Sequence, residues 1–174
     1  MMSFSNGLKL ACVASVIALA ACTSKPQATS ESAPPAAMNN STGGMQSNVV
    51  PGSAEDLKVN VGDTVHFDYD KYSVREDDRA LLQRQAAWLS KYPSVRVTIE
   101  GDCDERGTRE YNLALGARRA NAVKEYLVSL GVSSGRVETI SYGKEHPMCA
   151  ESTEECWSQN RRGVTGITSG GASS

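Results

Sequence analysis

The spacing of hydrophobic positions changes several times between residues 64 and 168. Alternating apolar and polar residues predict half-buried strands, and apolar residues three and four apart predict helices. The predicted strands are 64–68, 95–99, 137–142 and 164–168, and the predicted helices are 77–92 and 111–130. This βαβαββ order predicts an α/β (α+β) sandwich with two main helices packed on one mixed four-stranded sheet.

The helix predicted at 111–130 carries an arginine close to its apolar face. At about 100° per residue, that face is centred on Val123 and includes Gly116, Ala120, Leu127 and Leu130. Asn112 and Arg119 lie within roughly 50° of its centre, whereas Arg118 points into water. A charge in a half-buried stripe needs a partner. The candidates are Asp104, in the preceding loop, and a bound ligand.

Residues 1–21 have the pattern of a bacterial export signal, with Lys9 followed by a short apolar run. The run is too short for a finished membrane-spanning helix. It ends in Leu19-Ala-Ala-Cys22, which resembles the lipobox of bacterial lipoproteins. We expect a covalent lipid on Cys22, N-acyl and S-diacylglycerol, which makes a lasting anchor. Thr23 after it favours the outer membrane.

The remaining chain divides by composition. Residues 22–56 are rich in Ser, Ala, Pro, Gly and Asn, which is typical of a disordered tether. Residues 57–168 form the predicted domain, and residues 169–174 a flexible tail. A length of 174 residues suits one such domain with extensions. The formal net charge of −2 argues against a nucleic-acid partner, which requires a basic face.

The cysteines and carboxylates raise three more specific possibilities: a disulfide, a zinc site and an enzyme active site. Cys149 and Cys156 lie in one loop, and an oxidising compartment favours a disulfide there over two free thiols. A zinc site with His146 lacks a fourth ligand, so we expect no metal or cofactor apart from the lipid. The acidic residues within 102–105 are not accompanied by the nucleophile–base pair or the metal ligands of an enzyme active site. We therefore expect that the protein is not an enzyme.

Four motifs carry a resemblance to a known family. They are Phe67-Asp-Tyr-Asp-Lys-Tyr72, the stretch 100–120, Ile140-Ser-Tyr-Gly-Lys-Glu-His-Pro147 and Asn160-Arg-Arg162. With the lipobox, they make the chain similar to the OmpA-like peptidoglycan-binding domain family and its peptidoglycan-associated lipoproteins. The resemblance implies the OmpA-like fold and non-catalytic binding of meso-diaminopimelate in the peptide stem of peptidoglycan.

The resemblance also implies site residues. In the family, a loop aspartate and a helix arginine hold the zwitterionic end of diaminopimelate, and Asp104 and Arg119 match them here. A carboxylate suits an ammonium, and a guanidinium binds a carboxylate through two parallel hydrogen bonds. Asp70 and Lys71 correspond to a region where the family's backbone closes the pocket. Two further candidates come from position in this chain: Asn112, on the same helix face, as a donor to ligand or loop, and Arg161, at the start of the last strand, as a ligand contact or a structural salt bridge.

Membership of this family would imply partners in the Tol system, above all TolB, a place in the outer membrane and a role in envelope constriction at division. The alternatives are an adaptor lipoprotein that meets only proteins, and a cell-wall hydrolase. The chain departs from the family pattern at Asp102, where histidine is common. Gly163 and Gly166 depart in the last strand, where glycine weakens strand pairing.

Overall fold

The computed structural model describes residues 49–173. The predicted signal segment, the lipid site at Cys22 and the predicted tether as far as residue 48 lie outside this range. The strands are β1 (Thr64–His66), β2 (Arg96–Asp102), β3 (Val137–Gly143) and β4 (Arg162–Ser169). The α-helices are α1 (Ala54–Asp56), α2 (Glu76–Lys91), α3 (Arg109–Ser129) and α4 (Glu154–Asn160), with a π-helical turn at Leu57–Val61 and a 3-10 turn at Ser134–Arg136.

The four strands form one mixed sheet in the order β1-β4-β2-β3. β2 and β3 are parallel and joined through α3, while β4 runs antiparallel to both β1 and β2. Gly163 pairs with a residue on each neighbouring strand, Val65 and Gly101, so its lack of a side chain does not prevent pairing. The predicted sandwich of two main helices on a mixed four-stranded sheet is confirmed.

The core lies between the sheet and the helices α2 and α3. Val97 and Ile99 of β2 are fully buried there, because alternate strand residues face the same side. From α3, Ala120, Val123 and Leu127 are fully buried, as the helical period predicts. The prediction is wrong for Leu130, which is 37% exposed because α3 ends at Ser129 and the chain turns at Gly131, with a φ of 98°.

The fold begins earlier in the chain than the predicted boundary at residue 57. Ser53 is buried and caps α1 by accepting a hydrogen bond from the Asp56 amide. The Asp56 carboxylate accepts hydrogen bonds from the amide of Gly52, the side chain of Asn60 and the indole of Trp88. These contacts hold the N-terminal turn against α2, so residues 53–56 are part of the domain.

α4 is absent from the predicted element order. Its N-terminus is capped by Thr153, and a disulfide joins Cys149 to Cys156, with 5.0 Å between their Cα atoms. The Asn160 side chain accepts from the amides of Met148 and Cys149 and so closes the same loop. Because both cysteines are bonded to each other, they cannot supply thiolates for the zinc alternative.

Two glycines let α3 approach the sheet closely. A Cβ added at Gly101 would overlap the backbone carbonyl of Gly116, and one added at Gly116 would overlap both the Gly101 carbonyl and the Ser141 hydroxyl. The approach occurs where β2 ends, so it sets how deeply the residues after β2 lie beneath α3. Pairing with β3 also shifts register between Gly101 and Asp102, an irregularity of the kind that redirects side chains.

Asp102 is the last residue of β2, beyond the predicted end of this strand at residue 99, and its side chain is almost fully buried. The Nη2 atom of Arg162 on β4 is 3.3 Å from its Oδ2 atom, a salt bridge between neighbouring strands. Within residues 49–173, neither carboxylate oxygen has a hydrogen-bond partner. Burial raises the pKa of the Asp102 carboxyl from 3.8 to about 6, although Arg162 opposes the rise.

Among residues 49–173, none of the helices has the length and apolar composition needed to cross a membrane. The same part of the chain holds no group of three or more His, Cys, Asp or Glu side chains placed to bind a metal ion.

We expect Gly101→Ala to lower the free energy of unfolding by about 2 kcal/mol or more, because the added methyl group must push two backbones apart. Gly135→Ala is the matched control, since a Cβ there meets nothing within 4 Å, and its effect should stay within about 0.5 kcal/mol. Urea denaturation measures both. Equal losses in the two variants would show that the close approach is not a constraint.

Asp102 should make stability depend on pH. Its pKa in the folded protein lies above its unfolded value of 3.8, so protonation favours folding. The contribution is fully present below about pH 4 and is lost as the pH rises through about 6. Relative to Asp102→Asn, which cannot titrate, the wild type should gain roughly 2–3 kcal/mol between about pH 8 and pH 4. A difference that is constant across this range would contradict the assignment.

Candidate functional site

A cavity of about 140 Å³ opens where three segments meet: the end of β2, the first half of α3 and the loop after β1. The close approach of Gly101 to Gly116 brings the first two together. The cavity is lined by Tyr69, Asp70, Cys103, Asp104, Arg106, Gly107, Tyr111, Asn112, Leu115 and Arg119. The fold therefore places four of the predicted site residues, Asp70, Asp104, Asn112 and Arg119, around one cavity.

Arg119 forms part of the cavity wall and is fully buried. Its guanidinium donates three hydrogen bonds to backbone carbonyls: Nε to Lys71 at 2.8 Å, Nη1 to Asp102 at 2.8 Å and Nη2 to Asp68 at 3.2 Å. Within residues 49–173 it forms no salt bridge with a carboxylate. Burial lowers the pKa of Arg119, but a guanidinium stays protonated at neutral pH.

Asp104 is also buried, and its partners are Arg106 and Arg161 rather than Arg119. The Nη2 atom of Arg106 is 2.6 Å and the Nη1 atom of Arg161 is 3.3 Å from its Oδ2 atom. Burial alone would raise the pKa of Asp104, but the hydrogen bonds from Arg106 and Arg161 outweigh it and lower the pKa. The sequence left two arrangements open, a direct ion pair between Asp104 and Arg119 or a ligand between them. The direct ion pair is absent from the described residues.

Asn112 is buried on α3, as its position on the helix predicts. Its side-chain amide donates to the carbonyls of Arg106 at 2.9 Å and Thr108 at 3.1 Å. Asn112 was expected to donate either to a ligand or to the loop, and both of these bonds go to the loop. They fix the loop that carries Asp104 and Arg106 onto the start of α3.

The loop after β1 closes the cavity from the opposite side. Asp70 has a φ of 57°, and its carboxylate accepts a hydrogen bond from the Tyr111 hydroxyl. The side chain of Lys71 is exposed, whereas its carbonyl binds Arg119. Lys71 thus contributes through its backbone, and the arginine at the cavity wall holds this loop in place.

Arg161 lies behind Asp104, outside the cavity lining. Its side chain is only 7% exposed. The guanidinium bridges Asp104 and Glu154, and its Nε donates to the Phe67 carbonyl at 3.0 Å. The structural salt bridge, one of the two roles expected for this residue, is therefore present. It positions the Asp104 carboxylate at the edge of the cavity.

Arg106 was not among the predicted site residues. The sequence shows a basic residue two positions after Asp104, but it does not show that the loop folds back so that the two side chains meet. Tyr69 and Tyr111, which line the cavity on either side of Asp70, were also missed. Tyr69 is an exposed aromatic residue in a loop, a signal of recognition that could have identified it, whereas Tyr111 is an exposed residue on the first turn of α3.

Cys103 is the cysteine outside the disulfide within the described residues, and it is buried between the cavity and α3. Burial raises the pKa of its thiol to about 11. The thiol is therefore neutral at ordinary pH, and it donates to the Asn112 carbonyl at 3.4 Å.

The cavity thus has two separate poles of opposite charge. Arg119 supplies a cation held by neutral carbonyls, and Asp104 supplies an anion held by other arginines. Because they do not neutralise each other directly, a small zwitterion could place its carboxylate towards one pole and its ammonium towards the other.

Comparison with known proteins is consistent with this geometry. Residues 66–161 match the OmpA family. The chain is 60% identical over 124 residues to a "Peptidoglycan-associated lipoprotein" of Rhizobium meliloti (71% of this chain, 69% of that protein) and 51% identical over 153 residues to one of Agrobacterium fabrum (86% and 81%). The crystal structure of the peptidoglycan-associated lipoprotein from Burkholderia pseudomallei superposes with a TM-score of 0.60 at 45% identity, covering 61% of this chain and 90% of that one. The chain therefore belongs to the OmpA family and, within it, to the peptidoglycan-associated lipoproteins.

Proposed function

We propose that the cavity binds the meso-diaminopimelate residue of a peptidoglycan stem peptide without catalysis. The observation that carries the proposal is the fully buried Arg119, which has no carboxylate partner within residues 49–173, on the same cavity as Asp104. The side chain of meso-diaminopimelate ends in a carbon that bears both an ammonium and a carboxylate. This pair of charges is complementary to the two poles.

Specificity follows from the cationic pole. An L-lysine stem keeps the side-chain ammonium but lacks the carboxylate, so Arg119 would gain nothing from it. A buried donor that the wrong ligand leaves unpaired discriminates strongly between ligands. The site is thus suited to cell walls built with diaminopimelate.

The segments before the domain connect peptidoglycan binding to the outer membrane. Residues 1–21 act as a lipoprotein signal peptide, Cys22 carries the lipid in the outer membrane, and the polar segment after it is the tether. The domain then joins the outer membrane to the cell wall from the periplasmic side. On the resemblance to its family, the protein works with TolB and the other Tol proteins and supports envelope constriction during cell division.

We expect Asp104→Asn to weaken binding to diaminopimelate-type peptidoglycan by about tenfold or more, since a charge-assisted hydrogen bond contributes roughly 1.5–3 kcal/mol. Co-sedimentation with purified sacculi measures the affinity. Glu110→Gln is the matched control, because it removes the same charge from an exposed position on the first turn of α3 and should bind as the wild type does. Equal binding by all three proteins would refute the site.

Arg119→Lys should also reduce binding by about tenfold, because an ammonium cannot span three carbonyls and still present two parallel donors to a carboxylate. The control is Arg118→Lys, the same substitution at the exposed neighbouring position. Circular dichroism and thermal melting establish that each variant is folded. A folded Arg119→Lys protein with full affinity would contradict the role of the guanidinium.

Two further measurements on the wild type separate the alternatives. Release of soluble muropeptides from sacculi by the wild type would indicate a hydrolase, and we expect none. If the wild type does not bind sacculi but binds TolB, it is an adaptor rather than a wall-binding protein.

A further inference from the structure

The anionic pole of the cavity is already occupied by a cation of the same chain. The Oδ1 atom of Asp104 accepts from the backbone amide of Arg106 at 3.1 Å and from its Nε at 3.2 Å. The Oδ2 atom accepts from Nη2 of Arg106 at 2.6 Å and from Nη1 of Arg161 at 3.3 Å. A carboxylate offers about four acceptor sites, so Asp104 has no free site for a ligand ammonium.

The two arginines that bind Asp104 differ in how firmly they are held. The Arg161 side chain is 7% exposed and is also fixed by Glu154 and by the Phe67 carbonyl. The Arg106 side chain is 27% exposed and stands at the mouth of the cavity. Arg106 makes three of the four hydrogen bonds to Asp104, but it is the more exposed of the two arginines and the one that lines the cavity. It is therefore the partner that a ligand can reach and displace, and Arg161 keeps the carboxylate in place when it does.

Arg106 already contacts a second set of partners. Its Nη1 atom lies 3.6 Å from the Glu154 carboxylate. Its guanidinium carbon lies 4.0 Å from the ring centroid of Tyr69 and 4.1 Å from that of Trp157. Both distances allow cation–π attraction. A small movement towards Glu154 would preserve charge pairing for Arg106 while it releases Asp104.

We propose that Arg106 is an internal competitor of the ligand ammonium and that its exchange from Asp104 to Glu154 opens the site. The inference rests on the proposed function, since it concerns how the same cavity accepts its ligand. The apparent dissociation constant equals the intrinsic constant divided by the fraction of molecules in which Asp104 is free. Arg106 thereby lowers the affinity for every ligand that uses its ammonium at this pole.

The test is calorimetric titration of the full-length protein in detergent with three synthetic stem peptides. The peptides differ only in their third residue. The first has meso-diaminopimelate, and the second has L-lysine, which lacks the side-chain carboxylate. The third has 2-aminopimelate, which keeps the side-chain carboxylate but lacks the side-chain amine. Arg106→Gln should bind the first two roughly five- to tenfold more tightly than the wild type. Its affinity for the 2-aminopimelate peptide should be unchanged.

Glu154→Gln tests the other half of the exchange and should act in the opposite direction. Without the receiving carboxylate, Arg106 stays on Asp104, so the two amine-bearing peptides should bind roughly fivefold more weakly. Glu154 is an exposed residue on the first turn of α4. It also accepts a hydrogen bond from Nη2 of Arg161 at 2.6 Å, and glutamine keeps a side-chain oxygen that can accept the same bond. The second variant keeps the proposal testable if Arg106→Gln proves unstable in thermal melting.

The outcomes are distinguishable. If Arg106→Gln binds the diaminopimelate peptide more weakly, Arg106 contacts the ligand and the competitor role is wrong, while the proposed function stands. Equal changes for all three peptides would also overturn it, because the effect would not depend on the ammonium. If the wild type binds none of the peptides, both the proposed function and the inference fail.

Discussion

A buried guanidinium must be hydrogen-bonded, and the site is organised around one such group. Arg119 is fully buried, and its three acceptors belong to two separate chain segments: Asp68 and Lys71 in the loop after β1, and Asp102 at the end of β2. Leaving such a charge unsatisfied would cost several kcal/mol. The bonds therefore hold that loop and the end of β2 against α3, and the cavity lies between them.

Those acceptors are neutral, so within residues 49–173 Arg119 is not one half of a structural ion pair. Carbonyls satisfy hydrogen bonds but do not cancel charge, so Arg119 remains a net cation at the cavity wall. The nearby anion, Asp104, is kept apart from it by Arg161 and Arg106. The result is a dipolar cavity that suits a zwitterion, with one pole screened by a side chain that has another partner within reach.

The sequence predicted the elements that follow a strong hydrophobic period, and it predicted that Arg119 faces inward while Arg118 does not. It could not identify the partners of Arg119, since backbone carbonyls have no signature in the residue types. α4 was missed because a seven-residue helix shows no clear period. The predicted strand ends at residue 99, so Asp102 falls outside it. A buried carboxylate in a strand is uncommon, and the salt bridge to Arg162 on β4 that accompanies it has no signature in the local sequence.

The central claim is that the two poles of the cavity bind the two charged groups at the side-chain end of meso-diaminopimelate. A crystal structure of the protein with a bound stem peptide tests it most directly. The account predicts the side-chain carboxylate within hydrogen-bonding distance of Arg119, the ammonium on Asp104, and Arg106 turned towards Glu154. A stem peptide bound elsewhere on the domain, or bound in the cavity with neither charged group on these residues, would contradict it.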